Sequence, residues 1–242
     1  MNAAVTAELV GVRFFFDRQS RVVTPTMARV RRRVTASHGI RDVSFSIGSG
    51  EGVALLGPSG SGKTTVLRTI AGVLVPDEGR MRTQGRIGSL LTVDAGLMPT
   101  LTGRENSLLL AALAGLSRSD ARRVLARIRE RATLGIEFDH PVSTYSQGMR
   151  ARVAFAVVEE LAPDILLLDE VHEALDQEFR ELLEERARII LREGGIVIAA
   201  GHDHILLGRL CNRAVLLQTG SVAADAEFET VRRQYVGVHS NA

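Results

Sequence analysis

The chain has 242 residues, 45% hydrophobic and 24% charged, enough for one sizeable globular domain. A formal net charge of only +2 excludes nucleic-acid binding driven by overall charge, and a single cysteine, Cys211, excludes an internal disulfide and suits a reducing compartment. No run approaches the roughly 18 apolar residues that span a bilayer, and "MNAAVTAELV" lacks the basic-then-apolar pattern of a secretion signal, so a cytoplasmic location is expected.

In chain order, residues 7–16 and 41–51 alternate apolar and polar side chains and predict edge-type strands, with a polar, basic loop over 24–39 between them. "GVALLG" (52–57) predicts a short buried strand, and 63–74 a helix closed by "VPDEG". Residues 104–131 read as helical, with a break and a serine cap in "GLSRSD"; 147–162 reads as a further helix. "DILLLDE" (164–170) is a continuous apolar strand ending in carboxylates, 176–195 an amphipathic helix with a glycine stop, and 195–202 another buried strand. Residues 213–224 predict a hairpin around "QTGS". Strands alternating with helices predict an α/β fold with a mostly parallel sheet covered on both faces.

"GPSGSGKTT" (57–65) matches G-x-x-x-x-G-K-[ST] between a predicted strand and a predicted helix. Glycines let backbone N–H groups turn inward around phosphate oxygens, and the following helix N-terminus adds its dipole. Gly57, Pro58, Ser59, Gly60, Ser61, Gly62, Lys63, Thr64 and Thr65 are therefore candidate nucleotide-binding residues; the alternative is a chance glycine-rich turn. Lys63 is the only lysine in the chain. Where a cation need only be a cation, arginine serves; this narrow loop needs a compact point charge rather than a planar fork. Thr64 is the candidate Mg²⁺ hydroxyl. Asp169 and Glu170, at the end of the apolar strand, are candidates for holding Mg²⁺ through water and for polarising the attacking water. The plainer alternative is an ordinary acidic strand end.

"YSQGMRARVAFA" (145–156) narrows the class: it resembles the signature motif of ABC transporter ATPases, with Ser146, Gln147 and Gly148 matching its S-x-G centre, and it starts 24 residues before Asp169. "ALD" (174–176) resembles the family's D-loop, "GHD" (201–203) makes His202 the switch histidine, and "LTGREN" (101–106) matches the segment after the Q-loop. The resemblance implies a single P-loop ATPase domain over residues 1–242. Its mostly parallel core sheet would be joined by an antiparallel N-terminal β-subdomain and a helical subdomain inserted at about 95–160. It also implies ATP and Mg²⁺, and a homodimer with two ATP molecules in its interface. Lys63, Thr64, Asp169, Glu170 and His202 of one chain would face Ser146 and Gly148 of the other.

"DAGLMPTLTGREN", "FDHPVSTYSQGMRARVAFAV" and "DEVHEALDQEF" look like the ATPases that export polysaccharides, lipid-linked glycans or teichoic acid precursors, in which Y-S-x-G-M replaces L-S-G-G-Q. The basic segment before "GIRDVSF" is similar to that subfamily's extended N-terminal region. The extra C-terminal carbohydrate-binding domain of some members is not seen here, so glycan selection is expected to belong mainly to a multi-span membrane permease, with the ATPase on the cytoplasmic face of the membrane. The chain departs from the family at Val93, which stands beside Asp94 where the Q-loop glutamine is expected, and at Gly201, where serine usually precedes the histidine. Phe14, Phe15 and Phe16 are candidates to stack on adenine, and alignment favours Phe16. The patch Arg29, Arg31, Arg32 and Arg33 reads either as a contact for anionic headgroups or the permease, or as a solvated loop. Two other readings remain: an ABC transporter ATPase for an unrelated substrate, and a non-transport ABC ATPase acting on nucleic acid or the ribosome.

Overall fold

The computed structural model describes residues 3–16, 35–91, 96–169 and 176–239. Two sheets and seven α-helices account for the described chain. The first sheet is antiparallel, in the order β2 (Thr35–Ile47), β1 (Ala4–Phe16), β4 (Glu78–Gln84). β1 is thus its central strand and not an edge. The partner that covers it, β4, is polar and exposed along nearly its whole length, so no alternation marks it in the sequence. β2 begins at Thr35, inside the stretch expected as loop; residues 24–34 lie outside the described chain.

The second sheet has six strands, in the order β5 (Ile87–Leu90), β6 (Ile165–Asp169), β7 (Ile196–Ala200), β3 (Gly52–Leu56), β8 (Arg213–Gln218), β9 (Ser221–Glu227). The first five are parallel and β9 returns antiparallel through a tight turn. Thr219 and Gly220 both have positive φ there (48° and 84°), the twist a two-residue hairpin requires. The continuous apolar runs follow from burial on both faces. On β6, Leu166 and Leu168 enter one core, while Ile165 and Leu167 enter the other.

One core lies under α4 (Gln147–Glu160), α5 (Gln177–Arg192), α6 (His204–Leu210) and α7 (Phe228–His239). The opposite core lies between the sheet, the antiparallel β1–β2 layer and α1 (Lys63–Ile70). α1 ends four residues earlier than the expected helix over 63–74, at a turn through Gly72 with φ 73°. α2 (Gly103–Leu113) and α3 (Arg118–Ala132) lie between β5 and β6 and are separated where "GLSRSD" places the break, with Ser117 capping α3. They pack with α4 on a third cluster that includes Ile128, Phe138, Val153 and Val157. α4 therefore buries opposite faces in two different cores, which is why its residues 153–158 are all buried.

α2 opens with a capping box: the Thr102 hydroxyl accepts from the Glu105 amide, and the Glu105 carboxylate accepts from the Thr102 amide. One turn on, Asn106 is fully buried. Its side-chain amide donates to the carbonyls of Met98, Leu101 and Thr102 at 3.0–3.1 Å and accepts from the Met98 N–H at 2.7 Å. This one side chain holds the loop 98–102 against the helix start. Asn106→Ala strands the Met98 N–H and takes a second donor from three carbonyls that keep a backbone partner, and it is expected to cost about 2 kcal/mol of stability. Urea unfolding measures this directly; an unchanged midpoint would show that the loop is held by other contacts.

Candidate active site

The phosphate-loop residues leave β3 and enter α1. Gly57, Gly60 and Gly62 have φ of 142°, 78° and 107°, a left-handed path closed to most side chains. Space is equally restrictive. A Cβ on Gly57 would lie 2.2 Å from the Leu217 carbonyl oxygen, and one on Gly62 would lie 2.6 Å from the Ile40 side chain. The loop is thus wedged between the end of β8 and the interior of β2 at Ile40. Pro58 is half-buried, Ser59 and Gly60 are exposed, and Ser61 is buried. Gly62 is the N-cap of α1, no side chain caps the helix, and its first turn holds no acidic residue. Its orphan N–H groups and dipole face the loop.

Lys63 is 7% exposed, and its Nζ donates to the Gly57 carbonyl at 2.7 Å and to the Pro58 carbonyl at 3.2 Å. A compact ammonium fits a buried seat bounded by two backbone carbonyls; a guanidinium would have to displace one of them. Ser61 Oγ is enclosed without a hydrogen-bond partner among the described residues. Thr64 and Thr65 are half-buried in the first helical turn.

Sheet register brings the other candidates to the same edge. Ala200 of β7 pairs with Leu55 of β3 on one side and with Asp169 of β6 on the other. Strand ends are therefore level across three neighbours, and β7 separates the phosphate loop from Asp169. Asp169 is 6% exposed. His202 follows β7 by two residues and is exposed; its carbonyl accepts from the His204 N–H at 3.0 Å. Asp203 caps α6 by accepting from Ile205 and Leu206 N–H groups. Glu170 lies outside the described residues, as do Val93, Asp94 and the arginine patch at 29–33.

Ser146, Gln147 and Gly148 are gathered at the start of α4, away from the loop in the fold's connectivity. Ser146 is the N-cap, its hydroxyl accepting from Met149 N–H at 3.2 Å; it is exposed, as is Gln147, and Gly148 is half-buried. No acidic residue occupies that first turn, so this helix start also presents positive partial charge outward. Tyr145 anchors it from behind: the ring is buried and the hydroxyl donates to the Glu137 carbonyl at 2.6 Å. Burial pushes the Tyr145 phenol above its ordinary pKa.

Of the three phenylalanines, Phe14 is the one the structure describes beside the loop. A Cβ on Gly39 would lie 2.5 Å from the Phe14 ring and 3.2 Å from Thr65, so both side chains converge on that glycine. The side chain of Phe16 lies outside the described residues. Phe14 was among the three sequence candidates, and it shares the strand parity of Val10 and Val12, which are buried in the core, although Phe16 shares that parity too. Sequence reasoning passed over Asn106 because nothing in helical periodicity distinguishes it from a surface residue.

Among the described residues no helix is long and apolar enough to cross a membrane. Residues 40–173 match the family model described as ABC transporter. Among curated proteins, the chain is 38% identical over 81% of its length to an O-antigen export system ATP-binding protein, RfbB, of Klebsiella pneumoniae, covering 80% of that protein. It is 33% identical over 81% of its length to a teichoic acids export ATP-binding protein, TagH, of Listeria innocua, covering 58% of it. Among solved structures, a dimeric post-hydrolysis state of the ATP-binding cassette MJ0796 bound to ADP and Pi superimposes with a TM-score of 0.72 at 24% identity, over 93% of this chain and 98% of that one. The chain therefore belongs to the ABC transporter family, as an ATP-hydrolysing subunit.

Proposed function

We propose that the chain, as one ATPase domain over residues 1–242, energises a separate membrane permease that exports a polysaccharide or lipid-linked glycan. Kinship with O-antigen and teichoic acid export ATP-binding proteins carries the reading, together with the Y-S-x-G-M signature that begins α4. ATP would seat its phosphates in the loop Gly57–Thr65, with Lys63 between the terminal phosphates and the unspent Ser61 hydroxyl available to an oxygen. Phe14 or Phe16 would lie against adenine, contributing about 1–3 kcal/mol by stacking.

The donor set suits Mg²⁺: one hydroxyl, Thr64, and one carboxylate, Asp169, leave most positions to water and phosphate, as that ion prefers. Bound there, Mg²⁺ would offset the charge of the terminal phosphates. Glu170 would take a proton from the attacking water, and His202 would hold that water and the γ-phosphate in line. Two chains would close head to tail around two ATP molecules, each bringing Ser146, Gln147 and Gly148 to the other's γ-phosphate. The exposed, acid-free start of α4 supports this role. Closure and reopening would then drive a permease from the cytoplasmic face of the membrane, glycan contacts lying mainly in the permease.

Lys63→Arg is expected to weaken ATP binding at least about tenfold although charge is kept, measured by nucleotide titration. Unchanged affinity would show that the loop needs only a cation. Glu170→Gln should bind ATP normally, lose hydrolysis by about a hundredfold or more, and accumulate as an ATP-bound dimer on size exclusion. Wild-type turnover in that variant would remove Glu170 as the base. The reading as a whole is tested by affinity capture of the tagged chain from native membranes in mild detergent. A polytopic membrane protein recovered in equal amount supports it, and recovery of soluble partners alone refutes it.

A further inference from the structure

α6 begins two residues after His202, and α7 lies against it. Two positions one turn apart on α6, His204 and Gly208, both meet α7. A Cβ on Gly208 would lie 2.9 Å from the Phe228 ring, so a glycine there lets the start of α7 come close. The His204 ring lies against Tyr235, with centroids 5.7 Å apart and planes at 37°, a spacing at which aromatic pairs attract. The start of α6 thus meets the later half of α7 and its next turn meets the start of α7, so the two helices run antiparallel. Phe228 and Val231 fix α7 in the core, and Tyr235 packs against the same cluster. His204 Nδ1 is enclosed without a hydrogen-bond partner among the described residues, so packing, not a bond through that nitrogen, holds the ring. Burial, aided by the charges of Arg232 and His202 and opposed by Asp203, keeps the imidazole below its ordinary pKa, and it meets Tyr235 uncharged near neutral pH.

His202 stands between two anchors. On one side Ala200 is fixed by its pairing with Leu55 and Asp169. Gly201, which follows, has no side chain to hold the turn and the widest backbone freedom of any residue. On the other side the His202 carbonyl accepts from the His204 N–H at 3.0 Å, and Asp203 caps α6. With seven residues, α6 is too short to be stable by itself. Leu206, Leu207 and Leu210 seat its middle and end in the core, while its first residue is held by the Asp203 cap and by the His204–Tyr235 pair. We propose that Tyr235, acting through His204, is a positioning residue for ATP hydrolysis: by holding the start of α6 it sets where the turn 201–203 presents His202 to the γ-phosphate. The proposal rests on His202 holding that phosphate. α7 contributes no residue to the phosphate loop or to the level strand ends, yet the rate depends on how it is docked.

The test reads kcat and KM for ATP on the purified full chain. Tyr235→Ala and His204→Ala are each expected to lower kcat about fivefold, with KM for ATP unchanged within about twofold. The double variant should fall no further than the worse single, because both break one contact. Tyr235→Phe keeps the ring face and should stay within about twofold of the wild type. Thermal unfolding establishes that each variant is folded. His204→Ala, at a half-buried helix position where alanine is favoured, decides the matter if Tyr235→Ala is not folded. A folded Tyr235→Ala or His204→Ala with kcat within about twofold of the wild type, even with a lower Tm, overturns the proposal and leaves α7 a simple brace. Losses that multiply in the double variant, or a Tyr235→Phe as slow as Tyr235→Ala, overturn it as well. His202→Ala assayed alongside separates the two ideas: an undiminished rate there removes the residue on which the proposal rests, whereas a lost rate there beside an unaltered His204→Ala refutes only the link to α7.

Discussion

The active edge of this molecule depends on a hydrogen-bond register. Leu55, Ala200 and Asp169 stand opposite one another on three adjacent parallel strands, so the chain leaves the sheet at one level three times. Parallel strands demand long crossovers between them, and those crossovers carry α1, the α2–α4 unit and α5. A slip of one residue on β6 would turn Leu166 and Leu168 out of one core and into the other, and would move Asp169 off the level of the phosphate loop. Packing on both faces thus enforces the alignment that the proposed chemistry needs. No separate device is required to bring a carboxylate and a phosphate loop to the same edge.

Electrostatics at the candidate phosphate loop and at the start of α4 come mostly from backbone. α1 and α4 both begin without an acidic residue in the first turn, and α1 has no side-chain cap at all. Their first-turn N–H groups supply fixed partial charge that burial cannot neutralise. Lys63 adds the one full charge enclosed in the loop, and its contacts with the Gly57 and Pro58 carbonyls hold it there. The other Lys or Arg residues of the chain are arginines, and two of them are used as forks: Arg213 spans the Asp225 carboxylate, Glu51 and the Ser46 carbonyl, and Arg152 spans Thr133 and Asp176. The division of labour between a point charge and a planar donor explains why a chain so rich in arginine keeps a lysine in one place.

Much of this was legible in the residues. The glycine loop, the strand ending at Asp169 and the hairpin through Thr219 and Gly220 follow from local chemistry that tertiary contacts only reinforce. The break between α2 and α3 is equally local, because Ser117 caps α3 from the turn itself. β4 was not legible, since both its faces are largely wet and its place is set by pairing with β1. Nor was the early end of α1, where the pattern of apolar residues continues through Val73 and Val75 although both are exposed. β1 read as an edge strand because alternation reports one buried face and says nothing of how many neighbours a strand has. Asn106 bonds only within residues 98–102, yet as one polar residue in a helical stretch it looks like any surface residue, whereas the partners of Arg152, Thr133 and Asp176, lie 19 and 24 residues away and outside any local window.

α4 has almost no face turned to water. From Val153 to Val158 each residue is buried, one set against β5, β6 and α5 and the other against α3 and the loop near Phe138. A helix of that kind gains little by forming alone, and its sequence, "VAFAVV", would be a sticky segment in a partly made chain. Its floor is completed only by β6 and α5, which follow it in the chain. During synthesis, therefore, the α2–α3 pair can be present while the helix that unites the two cores waits for residues not yet made. The unit that binds the two halves together thus cannot settle until β6 and α5 have been made.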